Sequence, residues 1–125
     1  MNAFRRFLVF LAGVMGAAGV AAAAAGAHMT SEPNLTTAAT FLMLGASAVV
    51  GGCALAATQG PGWSFASAGA GIIALGTLLF SGALGLRALW DIVLFPMAAP
   101  IGGTMLILGW LVLALAALER KPRAG

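Results

Sequence analysis

Apolar residues run in four long blocks along this chain, and the polar positions between them do not alternate with any strand-like period. The blocks extend over Phe7–Ala27, Leu35–Ala57, Phe65–Leu86 and Ile101–Leu118. Crossing about 30 Å of hydrocarbon takes roughly 20 helical residues, so three blocks are long enough outright and the fourth is nearly so. In lipid every backbone N–H and C=O must be paired, which leaves only helices or a closed barrel. Continuous apolar runs without period-two alternation exclude the barrel. The predicted fold is therefore an all-α integral membrane bundle of four transmembrane helices, a single domain over residues 1–125.

The links fit these limits. "TSEPN" offers Ser31 or Asn34 as an N-cap, with Pro33 tolerable at the start of the second helix. "TQGPGWS" holds Gly60, Pro61 and Gly62, a turn cluster that predicts a tight connection between the second and third helices. The third link, "RALWDIVLFPMAAP", is almost wholly apolar from Ile92 to Ala99. It is expected to lie in the interface or to tuck against the bundle, with Pro100 in the first turn of the fourth helix.

Composition agrees with a bilayer setting. The chain is 62% hydrophobic and 7% charged, with a mean hydropathy of +1.06, whereas soluble domains carry about a quarter charged residues. The net charge of +3 comes from few cations gathered near the ends, with no basic face, so nucleic acid is excluded as a partner. Arg5 and Arg6 precede the first span, and Arg120, Lys121 and Arg123 follow the last. An even number of spans puts both ends on one side, and the basic excess predicts that side to be the cytoplasm. A competing reading takes the basic start, the apolar stretch and "AAAAAGA" as a cleavable export signal. The first apolar run is longer than a usual signal core, which favours a retained helix.

Helices in lipid associate by close packing, which small residues permit. Four-residue ridges are offered by Gly13, Ala17, Ala21 and Ala25 on the first span, by Ala48, Gly52 and Ala56 on the second, and by Ala66, Ala70 and Ala74, then Ser81 and Gly85, on the third. Gly16, Gly45, Gly76 and Gly109 fall near the middle of the four spans and predict a waist, with Gly82, Gly102 and Gly103 as further packing positions. Trp110 also lies near the midplane. Either its indole turns inward, with Gly76 giving room and Thr77 an acceptor, or it faces lipid.

Chemistry needs converging side chains, and candidates are sparse. His28, Glu32, Arg87 and Asp91 all belong to the outer side. His28 to Glu32 and Arg87 to Asp91 are each four apart, so each pair could share a helical face. One histidine and a distant Cys53 supply neither a zinc cage nor paired haem ligands within one chain, so no cofactor, metal or catalytic residue is assigned. The six methionines are scattered and read as core filling.

"GAH" closing the first span, "LFSGALGL" in the third and "PIGGTMLILGW" opening the fourth together resemble the small four-span membrane proteins of domain-of-unknown-function family 423. The resemblance implies a four-helix fold in a plasma or inner membrane and carries no established activity. This chain departs from the family's usual pattern, with Ala25 in place of an aromatic, Gly45 near the place of a second histidine and Gly85 near the place of a tyrosine. Any family role of a histidine pair is therefore not carried over. The expected function is non-enzymatic: an accessory or assembly subunit, or a homo-oligomer, acting by helix packing, with lipids and other membrane proteins or further copies as partners. The alternative is a small transporter or channel for a neutral or lipophilic solute, lined by Ser47, Thr77, Ser81 and Thr104.

Overall fold

The computed structural model describes residues 2–29 and 32–119. Four helices order the chain: α1 (Ala3–His28), α2 (Pro33–Ala57), α3 (Phe65–Trp90) and α4 (Ala98–Ala114), the last tightening into a 3₁₀ turn over Leu115–Leu118. All four are long and apolar enough to cross a membrane, counting α4 through Leu118. The protein is a multi-pass membrane protein. Capping side chains, rather than hydropathy, fix where α1 and α3 begin. Asn2 Oδ1 accepts from Arg5 N–H at 2.9 Å to start α1, and Ser64 Oγ accepts from Ser67 N–H at 3.1 Å to start α3.

α2 is capped differently from expectation. Glu32, not Asn34, is its N-cap, its Oε1 accepting from Asn34 N–H at 3.2 Å, with Pro33 as the first helical residue. Ser31, the other candidate, and the basic tail of Arg120, Lys121 and Arg123 lie outside the described residues. The α2–α3 turn needs Gly60, whose φ of 100° suits glycine far better than any residue with a Cβ. α3 continues past Leu86 to Trp90 and stops at Asp91, a left-handed residue with φ 54° and ψ 34°. From there Ile92 to Met97 are exposed, and Ala98 turns inward to open α4 with Pro100 in its first turn.

Packing follows chain order: α1 lies on α2, α2 on α3 and α3 on α4, with a narrower contact between α1 and α3. Among the described residues α1 and α4 share no packed interface, so the bundle is open on that side. Glycine sets each approach. Gly19 of α1 faces Met43, Leu42 and the Ala39 carbonyl of α2. Gly45 of α2 is filled by Thr77 of α3, while a Cβ on Gly52 would meet that of Ala70 at 3.0 Å. On the other side of α3, Gly76 meets the Leu106 backbone, Gly102 meets Phe80, Gly109 meets Ile73 and Gly69 meets Leu113. A core of Leu8, Ala12, Met15, Val49, Cys53, Ile73 and Leu106, with intervening alanines, joins all four helices.

Two expectations about packing faces change. The ridge Gly13, Ala17, Ala21 and Ala25 is not the contact face of α1: Gly13 has open space around it, and Ala17 and Ala21 are exposed. The buried stripe is Arg5, Leu8, Ala12, Met15 and Gly19. The single waist is also replaced by pairwise crossings. A Cβ on Gly16 would lie 3.7 Å from that of Ala46, Gly45 belongs to the α2–α3 crossing, and Gly76 and Gly109 belong to the α3–α4 crossing.

Candidate functional site

At the rim bearing the α1–α2 link, His28 ends α1 and is exposed. Glu32 spends Oε1 on the α2 cap. Arg87 lines a cavity of about 270 Å³ together with Asn34 and the Val93–Pro96 and Ala98–Pro100 stretches. The structure thus sets Arg87 beside the first turn of α2 rather than on a shared face with Asp91. What joins Arg87 to Asp91 is backbone: Asp91 N–H donates to the Arg87 carbonyl at 3.0 Å. The αL turn ends the helix at that residue, so the four-residue spacing does not bring the two side chains onto one helical stripe. Among the described residues no three of His, Cys, Asp or Glu gather where a metal could be held.

The opposite end carries a denser polar cluster, and it is not the one expected from sequence. Arg5 is 1% exposed. Its Nε donates to Ser67 Oγ at 3.1 Å and a terminal nitrogen donates to the Gly62 carbonyl at 2.9 Å. Asn2 Nδ2 donates to the Pro61 carbonyl at 3.1 Å, tying the start of α1 to the α2–α3 turn a second time. Ser64 Oγ donates to Ser67 Oγ at 3.2 Å. Glu119 Oε1 accepts from Phe65 N–H at 2.9 Å, so the carboxylate beyond α4 satisfies a free amide at the start of α3. A cavity of about 330 Å³ opens beside this clasp, lined by Asn2, Arg5, Ala57, Gly60 and Pro61. A spacing argument could have placed Arg5 on the stripe of Leu8, Ala12 and Met15, because these follow at three, seven and ten residues.

Inside the bundle, Thr77 and Ser81 are buried and their hydroxyls have no hydrogen-bond partner. Thr77 packs on Gly45, not on Trp110. Trp110 is 48% exposed and lines an outward groove with Phe41, Phe80 and Ile107, so of the two readings the outward-facing indole holds. Ser47 and Thr104 are exposed, and each hydroxyl donates to a carbonyl one turn back in its own helix, Met43 and Pro100 respectively. The four hydroxyls therefore do not face a common passage. Among the remaining packing positions, a Cβ on Gly103 would touch the Phe80 ring at 3.6 Å, whereas one on Gly82 or Gly85 would meet nothing within 4 Å.

The open side of the bundle forms an apolar groove of about 620 Å³. Phe4, Phe7 and Leu11 of α1 make one wall, Met105 of α4 the other, and Gly71, Leu75 and Leu78 of α3 the floor.

No curated protein matches the chain, and no solved structure matches it. The sequence pattern of the family described as "Protein of unknown function (DUF423)" matches residues 22–103, from the later turns of α1 to the first turns of α4. This match spans well over half of the chain, which belongs to the DUF423 family.

Proposed function

We propose that this protein is a non-catalytic packing subunit of a cell inner membrane, acting by lending helix surface to another transmembrane helix. The observation that carries the reading is the uncovered side of α3. Between α1 and α4 its floor is built from Ala68, Gly71, Ala74, Leu75 and Leu78, small residues beside exposed leucines. Lipid tails are as apolar as leucine, so such a surface gains from a protein neighbour only by close van der Waals fit, and the small Ala68, beside a Gly71 on which the Phe4 ring already rests, permits that approach. A catalytic role has less support, since the titratable side chains at the two rims are engaged in caps and clasps or stand apart. The transporter alternative has less support too, because Ser47 and Thr104 face outward with their hydroxyls already bonded.

Purification in mild detergent tests the reading. Wild-type protein is expected to bring down a reproducible membrane companion or further copies of itself. Leu75→Trp, which fills the groove from a 56% exposed position, is expected to abolish that association while leaving unfolding unchanged. A strictly monomeric wild type with no companion would overturn the proposal.

A further inference from the structure

We propose that the cavity beside the α1–α2–α3 clasp binds a phosphate group, with the Arg5 guanidinium as its anchor. Arg5 is almost wholly buried, yet its partners are a serine hydroxyl and a peptide carbonyl, both neutral. Among the described residues no carboxylate lies in ion-pair contact with it, and Glu119, the acid at this end, holds the Phe65 amide instead. A buried charge without a counter-ion is costly, and an anion supplied from outside removes that cost.

Geometry then says where the anion sits. Nε and one terminal nitrogen of Arg5 are used, which leaves the second terminal nitrogen without a partner among the described residues. It is not one of the enclosed orphan atoms, which are the hydroxyls of Thr77 and Ser81. Arg5 instead lines the cavity of about 330 Å³ shared with Asn2, Ala57, Gly60 and Pro61. Asn2 is engaged at Oδ1 and through one of its two Nδ2 hydrogens, so the guanidinium is the charged donor left to meet a ligand. A guanidinium with a free edge suits a phosphate oxygen better than an ammonium does. The cavity lies at the end of the bundle where α1 begins, the depth of lipid headgroups, so the phosphate belongs either to a phospholipid of that leaflet or to free phosphate.

The test uses the full chain in maltoside micelles in phosphate-free buffer, with the Arg5 ¹⁵Nε–¹H resonance as readout in the wild type and the backbone amide of Gly60, which lines the same cavity, as readout in every variant. Inorganic phosphate, phosphatidylglycerol and phosphatidylcholine are titrated separately. A saturable shift of the Arg5 resonance in at least one titration is expected. A shift with phospholipid alone assigns a lipid phosphate, and one with inorganic phosphate alone assigns the free ion. Arg5→Gln is expected to weaken binding by about tenfold or more, Arg5→Lys less, and the exposed Arg6→Gln hardly at all. If Arg5→Gln does not fold, the wild-type titration and Arg5→Lys still decide. No saturable shift in any arm, or an Arg6→Gln loss equal to that of Arg5→Lys, would overturn the site. A clasp that only holds helices together would lose stability in Arg5→Gln equally with and without added phosphate.

Discussion

Thr77 shows how a single contact ties α2 to α3. Its side chain occupies the space a Cβ on Gly45 would need, and its hydroxyl is left without a hydrogen bond. Gly45→Ala is expected to destabilise the protein by about 1–3 kcal/mol, because a β-branched side chain in a packed core has little room to yield. Thr77→Ala in the same chain should recover a good part of the loss, since only the Cβ then remains at 3.0 Å. Gly82→Ala, with nothing nearby, should change stability by less than about 1 kcal/mol. Unfolding by denaturing detergent measures all three, and additive losses in the double variant would show that the two residues do not act on each other. Residues of this kind were only partly legible in the sequence. The mid-span position of Gly45 marked it as a place of close approach, but its partner could not be named, because which helix lies opposite is not a local property. Arg5 is legible in the sequence only as a charge that reports topology, because a cation before a span ordinarily sits in water. Only the tertiary placement of Ser67 and Gly62 makes it a buried clasp.

At the scale of elements, the spans were legible and their faces were not. Length and hydropathy suffice to find a helix in lipid, so all four emerged with ends displaced by a few residues where Asn2, Glu32 and Asp91 provide caps or stops. α1 explains the failure over faces. With alanine and glycine on every side, a four-residue ridge can be drawn along several stripes of the same helix, and spacing alone does not choose. The larger side chains decide, since Leu8 and Met15 are buried while Phe7, Phe10 and Val14 are exposed. The consequence is a paired test. Gly19→Leu should disrupt the α1–α2 contact, because even its Cβ would meet Met43 at 2.7 Å and the Ala39 carbonyl at 3.2 Å. Gly13→Leu, on the ridge that the spacing favoured, should be tolerated, because that position meets open space. Thermal unfolding in micelles is expected to show a lowered midpoint for the first and an unchanged one for the second. The reverse ranking would mean that α1 is rotated from the orientation described.

For the whole molecule, the central question is which end faces the cytoplasm. The bundle has two unlike ends. One carries Arg5, Arg6, the α2–α3 turn and Glu119; the other carries His28, Glu32, Arg87 and the apolar Ile92–Met97 stretch. The excess of arginine at the first end argues that it is cytoplasmic, since translocating short basic segments is disfavoured. Cys53 is the chain's one thiol and is fully buried in the core, so Cys53→Ala gives a background in which a single new thiol reports position. Val93→Cys, in the exposed link, is expected to react with a membrane-impermeant maleimide on intact cells. Arg6→Cys should react only after permeabilisation, although the exchange removes one of the charges that set orientation, so Ala3→Cys serves as the check. Labelling of Ala3→Cys from outside together with protection of Val93→Cys would invert the bundle. It would also move the Arg5 cavity to the opposite leaflet, whose lipids would then be the ones able to reach the site.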